Sequence, residues 1–302
     1  MAAQILVGTR DGLHRFAASG DILKIEHAGR EVTTIAPEGW ELWAILDGKE
    51  VVHTAGVDWW FHVANLSGLR GNCIADTRAG VILGTSEGHL YRIAGRGLER
   101  VPSFDRAPGR KDWFTPWGGP PDTRSITEDR DIVYVNVHVG GVLRSSDHGE
   151  SWQPTIDIGA DIHRVTTGHG RVYAAGARSL NVSHDKGDTW HVSDEGLRGS
   201  YCRSVTVCGD TVLVSAADGP RGGHSGVYRS SVEGNSFERA TQGLPEWFSR
   251  NIDSLWLDAF PNGSLAAFAT EDGRLFASTD QGSSWSQIAA GFQGIARVQL
   301  IS

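Results

Sequence analysis

The chain has 302 residues, with 39 glycines, 11 tryptophans, one methionine and three cysteines, the balance expected of many short strands joined by tight turns. A formal net charge of −8 argues against nucleic acid and anionic membrane as partners, since neither is drawn to such a surface. Cys73, Cys202 and Cys208 are an odd and sparse set, the last two too close for an ordinary bridge between layers, which predicts a reducing compartment.

In chain order, Ile5-Leu6-Val7 reads as a strand with no basic segment or long apolar run ahead of it, so a cytoplasmic protein without a signal peptide is expected. No stretch long enough to span a bilayer follows. Leu13-His14-Arg15-Phe16 and Ile22-Leu23-Lys24-Ile25 continue as strands. A short strand then opens each of seven periods: Trp43-Ala44-Ile45, Asn72-Cys73-Ile74, Arg124-Ser125-Ile126, His163-Arg164-Val165, Arg203-Ser204-Val205, Asp253-Ser254-Leu255 and Ala296-Arg297-Val298. A turn such as Leu46-Asp47-Gly48-Lys49 or Gly168-His169-Gly170 leads to an apolar run such as Ile132-Val133-Tyr134-Val135. These are read as the innermost and second strands of seven small sheets.

The second sheet is expected to be short, because Glu50-Val51-Val52-His53 and Asp58-Trp59-Trp60-Phe61-His62-Val63 leave little room for an outer strand before Arg70. The first sheet begins at its second strand, while the chain ends on an unpartnered innermost strand from Ile295 to Ile301. Joining the two closes a ring and removes exposed sheet edges.

The second half carries a repeated turn. Ser145-Ser146-Asp147-His148-Gly149-Glu150-Ser151-Trp152 returns as Ser183-His184-Asp185-Lys186-Gly187-Asp188-Thr189-Trp190 and as Ser278-Thr279-Asp280-Gln281-Gly282-Ser283-Ser284-Trp285, with a degraded copy from Ser230 to Phe237 in which Val232 replaces Asp. Steps of 38, 47 and 48 residues between the Asp positions match the length of one four-stranded sheet. The carboxylate can accept from turn amides, Gly supplies a positive φ, and the aromatic ring buries between sheets. Such turns are expected to be structural.

On these residues the chain resembles the Asp-box, or BNR, repeat proteins, a group that includes sialidases, sortilin-type and xyloglucanase propellers, fucose-binding propeller lectins and the photosystem II assembly factor of plants and cyanobacteria. The resemblance implies a β-propeller and leaves activity open, because hydrolases, lectins and scaffolds share the turn. With seven sheets counted, the expected fold is all-β, a single seven-bladed propeller domain over residues 1–302.

Two long connections, Pro102 to Thr123 with Trp113 and Trp117, and Ala216 to Gly226 with Arg221 and His224, belong opposite the Asp-box turns and crowd one mouth of the central channel. Around that mouth the residue opening each innermost strand faces the axis: Trp43, Asn72, Arg124, His163, Arg203, Asp253 and Ala296. Two arginines, a histidine and an aspartate there are costly to bury unpaired, so they either pair around a wet channel or form a substrate site. Arg250 adds a third guanidinium for gripping an anion. The resemblance implies that a sialidase holds its substrate carboxylate with three arginines. Arg124, Arg203 and Arg250 match that loosely, but the family's Arg-Ile-Pro segment is absent and seven blades are expected, so a typical sialidase is not.

His53, His138 and His163 end or open strands near the same channel and suit one divalent ion, Zn, Cu, Fe or Mn, although no local ligand spacing marks the site. Proton transfer by His163 or His138, with Asp253, fits the same positions. Trp113 and Trp117 are either a lid that stacks on a ring or a plain cover of the mouth. The expected function is a small-molecule enzyme of hydrolase, lyase or isomerase type acting on a polar, anionic or sugar-derived substrate. From another class comes a non-catalytic carbohydrate-binding or assembly propeller. One asymmetric axial pocket favours the first; equivalent pockets on the blade sides favour the second.

Overall fold

In six of the seven four-stranded sheets each strand pairs with the one before it in the chain, so these are antiparallel meanders built from hairpins. The computed structural model describes residues 2–55 and 59–302; Asp58, the first residue of the run read as leaving little room for an outer strand, lies outside them. Blades 2 to 7 occupy residues 32–65, 71–100, 123–154, 162–193, 201–239 and 257–290. Blade 1 joins Gln4–Thr9, Gly12–Ala17 and Ile22–Glu26 to the last strand, Ile295–Ile301, in which Val298 faces Val7. The expected seven-bladed ring, closed by the C-terminal strand, is what the chain forms. Innermost strands of adjacent blades pack on one another around the axis.

The middle strands of each blade are buried on both faces because a blade lies between two others. Ile132–Val137, a β-branched run stopped by the turn at Gly140 and Gly141, is buried from Val133 onward, as the packing preference of such residues on a pleated surface requires. The core therefore lies between sheets rather than at the axis. Tyr173, Val205, Val212 and Tyr228 fill the space between blades 5 and 6. Phe268 and Phe276 stack with ring centroids 5.0 Å apart and meet Trp285 beside them. Each such side chain contributes roughly 1.5–3 kcal/mol by leaving water.

The repeated turns join third to fourth strands with one geometry. Ser151 donates its backbone N–H to Asp147 Oδ1 at 2.9 Å and its hydroxyl to Oδ2 at 2.5 Å. Thr189 does the same to Asp185 at 2.8 and 2.6 Å, and Ser284 to Asp280 at 2.9 and 2.6 Å. The glycine N–H two residues after each Asp donates to the Ser hydroxyl that opens the motif. Gly149, Gly187 and Gly282 have φ of 87°, 94° and 78°, angles that a side chain opposes. Trp152 and Trp285 are buried and Trp190 partly so.

Four expectations about strands are corrected. The innermost strand of blade 2 is Val32–Glu38, and Trp43 lies on the second strand, Glu41–Leu46, opposite Ala36 and His53. A two-residue reversal at Gly39 and Trp40 allows this, so blade 2 has four strands, with Trp59–Asn65 outermost, and is not short. His53 consequently sits on the third strand, Glu50–Ala55, instead of ending the second. In blade 7 Asp253-Ser254-Leu255 is a turn, closed by the Trp256 N–H donating to the Asp253 carbonyl at 3.0 Å, and the inner strand is only Leu257–Ala259.

Candidate functional site

Six of the blades break strand register near the start of the innermost strand. Pairing skips Thr33, Asn72, Arg124, His163, the Arg203-Ser204 pair and Ala296. A bulge of this kind bends the strand and re-aims one side chain, so the ring of axial residues is a product of backbone irregularity. Thr33 occupies the place expected for Trp43. Trp43 is buried one strand further out, donating its indole N–H to Glu38 at 2.6 Å and stacking on His53 at 4.0 Å.

Thr33, Asn72, Asp122, Arg124, Asp253 and Ala296 line a cavity of about 260 Å³ at the axis. Asn72 Nδ2 donates to Asp122 Oδ1 at 3.4 Å. Arg203 pairs with Asp253 at 2.7 Å, and the Ser254 N–H donates to the same oxygen at 2.7 Å. Desolvation opposes ionisation of Asp253, but Arg203 and Arg124 more than offset it and hold the carboxyl at about 2. Asp253 is thereby paired with a guanidinium. Among the described residues no carboxylate lies within 4.0 Å of the Arg124 guanidinium; its Nη1 sits 3.4 Å from His138 Nδ1.

A second layer crosses the channel. Arg164 donates to Ser204 Oγ at 3.1 Å and to the Ser254 carbonyl at 3.0 Å, and it lies 3.8 Å from Asp258. Asp258 Oδ2 accepts from Gln299 Nε2 at 2.9 Å and from the Leu300 N–H at 2.8 Å. Gln299 in turn accepts from Arg297 at 2.6 Å. Burial pushes the Arg164 guanidinium down to about 10 and raises the Asp258 carboxyl. These groups fill the axis with hydrogen bonds between blades 1, 5, 6 and 7.

Beside Arg124 lies a buried cluster. His138, just past the second strand of blade 4, and His163, at the bulge of blade 5, both turn their Nε2 atoms to Asp161, at 3.1 and 3.4 Å from its Oδ1. The backbone assembles them, since the Ile162 N–H donates to the His138 carbonyl at 3.0 Å and Val139 bridges Asp161. His163 Nδ1 lies 2.6 Å from the Cys202 carbonyl; a carbonyl only accepts, so Nδ1 carries a proton. Tyr201 packs on the His163 ring at 4.8 Å, with Arg203 over the Tyr201 ring at 5.6 Å. Trp117, 68% exposed, meets the edge of His138 at 5.1 Å. Burial works against the Asp161 carboxylate, yet His138 and His163, where protonated, hold it well below the usual range. Burial also lowers the His138 pKa, opposed by Asp161.

Asn72, Arg124, His138, His163, Arg203, Asp253 and Trp117 are thus brought to one region. The other expected site residues are not. His53 contacts Glu38 and Glu41 at 3.3 and 3.2 Å, a group separate from His138, Asp161 and His163. Trp113 is buried against Phe104, with their rings 5.3 Å apart, and forms part of the core between blades 3 and 4 instead of a lid. Arg250 is exposed and 3.3 Å from Glu271, in a surface hollow it shares with Phe248. Arg221 is exposed, touching Arg250 only through its carbonyl at 3.4 Å. His224 pairs with Asp218 at 2.6 Å and stands edge-on to Trp247. These groups follow the Gly-rich insertion outward, because Ser225 bridges Phe248 and ties that loop to the blade 7 approach. Asp161, Asp122 and Thr33 are the residues that sequence reasoning missed. Asp161 stands two positions before His163, the strand spacing that puts both side chains on one face.

No family model matches the chain, and no curated protein does. Among solved structures it is similar to YCF48 bound to a D1 peptide, with 14% identity, a TM-score of 0.61 and coverage of 88% of this chain and 86% of that one. It is similar also to an ancestral GH74 enzyme, at 14% identity and TM-score 0.64, and to the GH74 xyloglucanase of Xanthomonas campestris, at 17% and 0.56. It covers 87% and 85% of its own length in these matches but only 39% and 45% of the two enzymes, so it spans less than half of either. At such identities the likeness is one of fold, the seven-bladed β-propeller.

Proposed function

We propose that this propeller is a small-molecule enzyme of hydrolase, lyase or isomerase type whose polar substrate, anionic or sugar-derived, enters the axial mouth. The observation that carries this reading is Arg124, a guanidinium that lines the axial cavity without a carboxylate partner and touches the buried histidine cluster. An anion there gains charge-assisted hydrogen bonds. Its neighbouring atoms come up against His138, Asp161 and His163, the reactive groups, with Trp117 as a stacking surface. Arg203 supports the mouth by holding Asp253.

The similar propellers include both a peptide-bound protein and glycoside hydrolases, so the fold admits a binding role as well as an enzymatic one. A hollow of about 270 Å³ between blades 5 and 6 is lined by His184, His191 and Asn235, whereas one of about 310 Å³ beside it is lined by Thr211, Arg229 and Glu238. A reducing, cytoplasmic setting fits the three free, buried cysteines, whose thiols burial pushes up to about 12, 12 and 11. No described helix is long and apolar enough to cross a membrane.

Calorimetry against a panel of small carboxylates, phosphate esters and uronic acids tests the reading. Arg124→Ala should weaken the bound anion by about 1.5–3 kcal/mol, the worth of a charged hydrogen bond. An anion held equally by both proteins, or found between blades, would move the chain to the non-catalytic class.

A further inference from the structure

We propose that His138, Asp161 and His163 are the protein ligands of a divalent transition-metal ion, with zinc as the reference ion. The inference rests on the axial-site reading only in supposing that this cluster is the reactive group; the binding claim itself concerns the metal alone.

Spacing is the first argument. Two ligands about 2.0–2.1 Å from a tetrahedral ion stand roughly 3.3 Å apart. The Asp161 oxygen stands 3.1 Å from His138 Nε2 and 3.4 Å from His163 Nε2, and all three atoms fall within 4.8 Å of one another. Hydrogen bonding is the second. His163 Nε2 and Asp161 Oδ1 are both buried without a partner of hydrogen-bond geometry, and His163 is 0% exposed. A proton shared between them needs alignment that the pair lacks, whereas an ion needs only that the lone pairs converge. Two unsatisfied buried acceptors facing each other are otherwise costly.

The surroundings are those of a ligand set. Donation from Nδ1–H to the Cys202 carbonyl at 2.6 Å fixes the His163 tautomer that leaves Nε2 bare, the usual support for a metal-bound imidazole. Two imidazoles and one carboxylate suit zinc or iron-group ions over magnesium or calcium. Three protein ligands leave a coordination position for water or substrate. One contact changes on loading. A metal on His138 Nε2 requires a proton on Nδ1, which then no longer accepts from Arg124; that contact is already long at 3.4 Å. Arg124 is released toward the axial cavity it lines, so metal and anion binding should reinforce each other.

Protein stripped with chelator is titrated with zinc by calorimetry, and with cobalt by visible absorption. One ion per chain is expected, with ligand-field bands for cobalt. The isosteric Asp161→Asn and His138→Ala should each weaken zinc by more than about a hundredfold, beyond the loss seen when only a supporting contact is removed. Melting of each variant in chelator checks that it folds. His53→Ala should leave zinc affinity unchanged. Zinc binding that is absent, that survives Asp161→Asn in folded protein, or that is lost in His53→Ala overturns the proposal. The parent protein and Arg124→Ala together separate the two readings: zinc held by a parent that binds no anion sinks the axial-site function and leaves the metal site, while an Arg124-dependent anion without zinc does the reverse.

Discussion

At the scale of single residues, the Asp turns and the axial ring use carboxylates in opposite ways. Asp147, Asp185 and Asp280 bind only their own turns, so they act on stability and not on ligands. Asp280→Ala should cost about 1 kcal/mol, because water reaches the amides it leaves behind. Urea unfolding would measure this, with anion or metal affinity as the unaffected control. Hydrogen bonds from Thr189 hold Asp185 at about 2, against an ordinary value of 3.8, and Asp147 and Asp280 are lowered in the same direction. Depressed folded-state values mean that the stability from these groups is fully present above about pH 4 and is lost as pH falls below the ordinary carboxylate range, for Asp185 through about 2. A triple Asp→Asn variant should therefore show a flatter urea midpoint over that range. A slope matching the parent would place the acid sensitivity elsewhere.

At the scale of the strand, the last segment does two jobs. Ile295–Ile301 supplies the inner edge of blade 1 and carries Arg297 and Gln299 into the channel. Removing residues 295–302 strips Gln4–Thr9 of its partner, exposing the edge of a strand whose Ile5, Leu6 and Val7 are completely buried. Such an edge invites pairing with another chain. The truncated protein should sediment as aggregate or melt without cooperativity; a melt matching the full chain would contradict the closure. Strand bulges explain which axial positions were legible. Asn72, Arg124, His163 and Arg203 show as polar residues breaking an apolar pattern. Thr33 does not, because Thr is at home in any strand, and the aromatic Trp43 one turn later matched the same pattern.

For the whole molecule, the ring is held at its centre by polar groups rather than by an apolar plug. Asp258 faces two arginines from different blades, the buried Arg164 and the partly buried Arg297. Asp258→Ala leaves both guanidinium groups without that carboxylate and should cost about 3–5 kcal/mol. Asp258→Asn, which keeps an oxygen for the Leu300 N–H, should lose less. Chemical denaturation of the two variants distinguishes these outcomes, and equal loss would show that the charge matters more than the hydrogen bond.

Periodicity and turn chemistry act within about fifty residues, so the sequence by itself determined what depends on them: seven sheets, the Asp turns, the closing strand and most of the axial ring. Tertiary structure alone decided what depends on contact between blades. Asp161 reaches His138 on the neighbouring blade, and Arg203 is paired with Asp253 fifty residues on. Side-chain meetings of this kind are set by how far each bulge rotates its strand and how the blades pack, quantities that no local pattern of residues encodes.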